Sequence, residues 1–100
     1  MARKSTRNNK FLFNSKDITS PKVYAFLVKL VNEDREDLAE KALRADYLLN
    51  YAQSCIKQKD KAEAKTALEK VKDRLDEIKA EGFDPEQLQY LYEGTLNKVL

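Results

Sequence analysis

Residues 38–56 and 64–78 carry apolar side chains at alternating spacings of four and three. The first series is Leu38, Ala42, Ala45, Leu49, Ala52 and Ile56, and the second is Ala64, Leu68, Val71, Leu75 and Ile78. A period of 3.5 residues marks a helix with a narrow apolar seam, suited to lying against a second seam of the same kind. Only the polar stretch KQKDK, residues 57–61, separates the two. Folding the chain back about Asp60 sets Ile56 opposite Ala64, Ala52 opposite Leu68, Leu49 opposite Val71, Ala45 opposite Leu75 and Ala42 opposite Ile78, with Leu38 facing Gly82. In every pair but the central one, a large side chain meets a small one, which is how interdigitating surfaces fill space. The seams could equally join two chains. About three heptads and a short linker favour the antiparallel αα-hairpin within one chain.

The rest of the chain extends this hairpin into an all-α bundle of three or four helices. Two glycines and two prolines in 100 residues are too few for the turns of a sheet protein. Ser20-Pro21 reads as a helix start, with the serine as N-cap and proline at the first position. Val23, Phe26, Leu27, Leu30 and Val31 follow on one face, so a first helix is expected over about 21–31. NEDRED, residues 32–37, interrupts it; Asn32 or Asp34 is the candidate cap of a second helix reaching residue 57. No glycine or proline forces a break there, and one kinked helix stays open as an alternative.

A third helix is expected over about 61–80, closed by Gly82 in the left-handed conformation. DPEQ, residues 84–87, suggests Asp84 as N-cap and Pro85 as first residue of a fourth helix carrying Leu88, Leu91, Tyr92, Leu96 and Val99. Gly94 weakens it, leaving the last six residues free to fray. The second helix has another apolar ridge, Ala39, Leu43, Tyr47, Tyr51 and Cys55 with Leu48 beside them. It therefore needs cover on two sides and belongs at the centre. Residues 17–100 read as one domain.

Leu48, Tyr51, Ala52, Cys55, Ala64, Leu68 and Val71 fall at the spacings of the large and small contacts of a tetratricopeptide unit. Residues 45–76 thus resemble a single repeat of that family, although Asp76 replaces the closing proline and Gln58-Lys59-Asp60 lacks the turn glycine. No second copy is visible, and the likeness covers about a third of the chain. The resemblance implies helix-pair packing and a peptide-binding groove.

Little in the composition asks for catalysis. Histidine, the commonest general base near neutral pH and the commonest metal ligand, is missing, and there is one cysteine. No glycine-rich loop could cradle a phosphate. Asp34/Asp37, Asp73/Asp76 and Asp73/Glu77 share helix faces, but lysines and arginines alternate with them as on a solvated surface. Cys55 reads as a small buried apolar residue. The expectation is a protein that is not an enzyme, with no cofactor, metal or small-molecule substrate. A lone cysteine and the lack of a long apolar run place it in the cytoplasm, off the membrane.

Residues 1–16 are a basic leader without helical period, expected to be flexible in isolation. Arg3, Lys4, Arg7, Lys10 and Lys16 precede any carboxylate, and they surround the triplet Phe11-Leu12-Phe13. The remainder holds fourteen basic against seventeen acidic residues. Two readings follow. In the first, the chain is a small protein-interaction module (an adaptor, an inhibitor-type regulator or a small chaperone) that binds another protein or a second copy of itself. Phe11, Leu12, Phe13, Tyr47, Tyr51, Tyr90 and Tyr92 would supply the adhesive surface, since aromatic residues are enriched at interfaces. In the second, the five cations bind nucleic-acid phosphates and the two phenylalanines stack on unpaired bases.

Overall fold

The computed structural model describes residues 20–100, which form four α-helices and, among those residues, no strand. They are α1 (Pro21–Asn32), α2 (Glu36–Lys57), α3 (Lys61–Ala80) and α4 (Glu86–Val99). The chain is an all-α bundle, and α2 packs against each of the other three helices, most extensively against α3. The leader, with its five cations and Phe11-Leu12-Phe13, lies outside the described residues.

The two seams form the core. Leu38, Ala42, Ala45, Leu49 and Ala52 of α2 are buried, as are Ala64, Leu68, Val71, Leu75 and Ile78 of α3, while Ile56, beside the turn at the closed end, is half-buried. Contacts between α2 and α3 show the antiparallel register directly. Arg35 meets Glu81 at 2.9 Å, Lys41 meets Glu77 at 3.5 Å and Tyr51 meets Glu63 at 2.9 Å. Each pair brackets the turn almost evenly, as the fold about Asp60 requires. Burying each large seam residue contributes about 1.5–3 kcal/mol of transfer free energy. The alanines let the helix axes approach closely enough for that burial to be complete.

The connections are made by residues that sequence patterns rank poorly for the task. Asp34 and Lys59 both take φ of 65°, the left-handed region that side chains with a Cβ seldom occupy. Asp34 breaks α1 from α2, which excludes one continuous kinked helix. It also overturns the expected cap: Asn32 is the last residue of α1, and Asp34 is spent on the turn. Arg35 therefore becomes the N-cap of α2, with no side-chain cap bond. Its carbonyl accepts from the N–H groups of Leu38 and Ala39, both at 3.1 Å. Lys59 occupies the turn where a tetratricopeptide unit would use glycine. The Asp60 carboxylate that follows accepts from the Glu63 N–H at 3.1 Å and caps α3. The D-x-x-E spacing of a capping box announces this cap.

Ser20 caps α1 as expected, accepting from the Val23 N–H at 3.4 Å, and Gly82 closes α3 with φ of 91°. Helix α4 starts one residue later than the DPEQ pattern suggests. Pro85 is its N-cap, with its carbonyl accepting from the Gln89 N–H at 2.8 Å, and Asp84 makes no cap bond. The Pro85 ring is fully buried and Phe83 packs against the core, so the connection is anchored by apolar contact. The end of α4 stays helical through Val99 despite Gly94. Thr95 and Val99 are both buried, and that burial outweighs the weak propensity of one glycine.

Candidate interaction surface

Helix α2 presents two unlike sides. Its seam and the Ala39 edge are covered, whereas the outer side carries Glu40, Arg44, Tyr47, Asn50, Tyr51 and Ser54, all exposed. The second ridge is thus covered only in part: Ala39 and Cys55 are buried, Leu43 and Leu48 half-buried, and the two tyrosines emerge. Tyr47 is 70% exposed and Tyr51 41% exposed. They follow each other at a spacing of one helical turn, so their rings share one face.

Beside Tyr47 lies a shallow groove of about 260 Å³, lined by Leu43, Arg44, Asp46, Tyr47 and Asn50, with mostly apolar walls. Asp46 is the unexpected member. It is only 5% exposed, and among the described residues burial is the one influence acting on its carboxyl. Burial pushes its carboxyl above the usual range. Sequence reading passed over Asp46 because ADY resembles any polar step between apolar ridges. The available signal was position: Asp46 falls between Ala42, Ala45 and Leu49 on one side and Leu43 on the other.

Tyr51 is held differently. Its phenol donates to the Glu63 carboxylate at 2.9 Å, and this bond, with a smaller contribution from Cys55, pushes the phenol up to about 12. Cys55 itself is a buried free thiol.

The tyrosines of α4 belong elsewhere. Tyr90, 70% exposed, lines a groove with Gln53, Leu91 and Thr95, while Tyr92 is half-buried against the core. The structure therefore brings Tyr47 and Tyr51 together and sets Tyr90 and Tyr92 apart from them. Phe11, Leu12 and Phe13 lie outside the described residues, as do the five leader cations. Thr95, which sequence reading overlooked, donates to the Leu91 carbonyl at 2.8 Å and accepts from Gln53 Nε2 at 3.4 Å, tying α4 to α2.

One member of each carboxylate pair is engaged by a cation. Asp37 pairs with Arg35, Asp76 with Lys72, and Glu77 with Lys41 and Arg74. The Arg35 hydrogen bond holds the Asp37 carboxyl below its ordinary value. Among the described residues no group of three or more His, Cys, Asp or Glu side chains is placed to hold a metal ion, and no helix is long and apolar enough to cross a membrane. Compared with protein-family models, curated proteins and solved structures, the chain matches none.

Proposed function

We propose that this chain is a small protein-interaction module, without catalytic activity of its own, that binds another protein through the outer side of α2. One observation carries the reading. Tyr47 and Tyr51 stand together on a face no other described helix covers, next to a groove with mostly apolar walls. Tyrosine offers a large contact area at low entropic cost and tolerates half-burial, which suits it to an interface. The likeness of residues 45–76 to a tetratricopeptide unit supports the same reading, since it implies a peptide-binding groove. An adaptor, an inhibitor-type regulator and a small chaperone acting in the cytoplasm all fit it.

Coexpression and pulldown test the proposal. Loss of a specific partner from Tyr47→Ala/Tyr51→Ala, with the helical circular dichroism unchanged, supports it. Undiminished capture by that variant overturns the role of this face. Phe11→Ala/Phe13→Ala asks the same question of the leader.

A second reading, association with nucleic acid, is favoured by five cations before the first carboxylate. Such binding is sequence-blind and weakens steeply with salt. A titration at two salt concentrations decides it: binding that ignores salt, or that survives deletion of residues 1–10, eliminates this reading.

A further inference from the structure

Arg44 belongs to two depressions at once. It borders the mostly apolar groove of Leu43 and Tyr47, and it lines a second cleft of about 260 Å³ with Asp37, Glu40 and Lys41 of α2 and Arg74 of α3. The exposed side of α2 therefore passes, through one guanidinium, from apolar walls into a cleft with three cations. Of the two carboxylates there, Asp37 already accepts from Arg35 Nε at 3.2 Å and from Nη2 at 3.1 Å. Glu40 remains, against Lys41, Arg44 and Arg74. Lys41 and Arg74 share Glu77 at the long distances of 3.5 and 3.6 Å. Cations stay in excess even with Glu77 counted.

Arg74 Nε carries the argument further. It is the one buried side-chain nitrogen or oxygen among the described residues with no hydrogen-bond partner. A buried donor on a charged group is costly without an acceptor, and such groups are rare in native proteins. The edge of a guanidinium offers two parallel N–H donors that match a carboxylate. Arg74 is held by a long Nη1 contact to Glu77, so its terminal torsions can turn the Nε edge into the cleft. A carboxylate entering there meets that edge and Arg44 together. A large apolar side chain beside it in the same segment reaches Leu43 and Tyr47. Asp46 lines the Tyr47 end, which disfavours an acidic group there and fixes the direction of the segment.

We infer that the partner of the outer α2 side is an acidic peptide segment, with a large apolar side chain against Leu43 and Tyr47 and a carboxylate between Arg44 and Arg74. This rests on the docking role proposed above and adds the partner's chemistry to it.

Selection of phage-displayed random dodecapeptides on the full chain tests the inference. The expected winners carry Asp or Glu beside a large apolar residue. As a labelled synthetic peptide, such a winner is expected to bind about tenfold more weakly to Arg44→Gln or Arg74→Gln, each of which removes a charged hydrogen-bonding partner. Binding also weakens with added salt and in Tyr47→Ala. Arg74→Lys recovers little, because an ammonium keeps the charge and lacks the fork. Arg44 is exposed, so its variant keeps the test valid even if Arg74→Gln disturbs the fold. Winners without acidic residues that are lost in Tyr47→Ala leave the docking face standing and overturn the acidic partner. Acidic winners indifferent to Arg44→Gln overturn the cleft, and full affinity in Arg74→Lys overturns the role of Nε. An empty selection overturns both the inference and the docking face. A labelled single-stranded oligonucleotide that binds where no peptide does, and is lost in Arg44→Gln, assigns the cleft to phosphate and overturns the inference. A dimer in light scattering that Arg44→Glu dissociates overturns it in favour of a second copy.

Discussion

The Tyr51 hydroxyl donates to the Glu63 carboxylate at 2.9 Å, joining the last turns of α2 to the first turn of α3. The bond spans only twelve residues of chain and sits at the closed end of the hairpin, where α2 and α3 are held by their shortest connection. It also keeps one of the two outer tyrosines of α2 in place.

That bond gives Tyr51 a titration unlike an ordinary phenol. Its folded pKa of about 12 lies above the usual value of 10. The stabilisation is therefore present in full below pH 10 and is lost as pH rises through about 12. Absorbance at alkaline pH is expected to show one late-titrating phenol that disappears in Tyr51→Phe. Glu63→Gln is expected to return it towards the ordinary value, because the hydrogen bond to the carboxylate is the largest cause.

The size matching across the seam predicts a compensating swap. Ala45 and Leu75 are both fully buried. Leu75→Ala is expected to cost about 2–5 kcal/mol and Ala45→Leu about 1–3 kcal/mol, from a cavity and from overpacking respectively. The double substitution exchanges large for small at facing positions. It is expected to cost less than the two single costs combined, as read by urea unfolding. Simple additivity would mean that the two residues do not share one layer.

The three turn and helix positions with unusual backbone give predictions of opposite sign. Lys59 has φ of 65°, so Lys59→Gly removes strain and is expected to stabilise by up to about 1 kcal/mol. Gly82 has φ of 91°, so Gly82→Ala is expected to destabilise by about 1 kcal/mol or more, although its side is open. Gly94 is helical and an added Cβ would meet nothing within 4 Å, so Gly94→Ala is expected to stabilise by about 0.5–1 kcal/mol. Thermal unfolding of the three variants distinguishes these directions.

Arg35 bridges Asp37 at 3.1 Å and Glu81 at 2.9 Å, with its side chain 32% exposed. The depressed pKa of Asp37 means that this cluster stabilises above the ordinary carboxylate range and is lost as pH falls through the lower folded value. Arg35→Met is expected to lower the denaturant midpoint only slightly at neutral pH, because exposed ion pairs contribute little. The difference from wild type should shrink both in acid and at high salt, as followed by denaturant midpoints.

Part of this protein was legible in its sequence because helical period and residue size are local. The seams of α2 and α3, their antiparallel fold and the α1 start at Ser20-Pro21 follow from spacing and capping chemistry. Other features depend on what a residue packs against. Pro85 moved the start of α4 because its ring is buried, and Thr95 and Val99 kept the helix intact beyond Gly94 for the same reason. Asp34 and Lys59 accept left-handed backbone because the packed helices on either side dictate the turn, overriding their own preferences. The split of the tyrosines was likewise set by neighbouring helices: Glu63 of α3 fixes Tyr51, nothing in the described bundle covers Tyr47, and Tyr92 turns towards the core. Asp46 shows the boundary most clearly. Its identity is written in the chain, but its burial exists only once α2 has packed into the bundle.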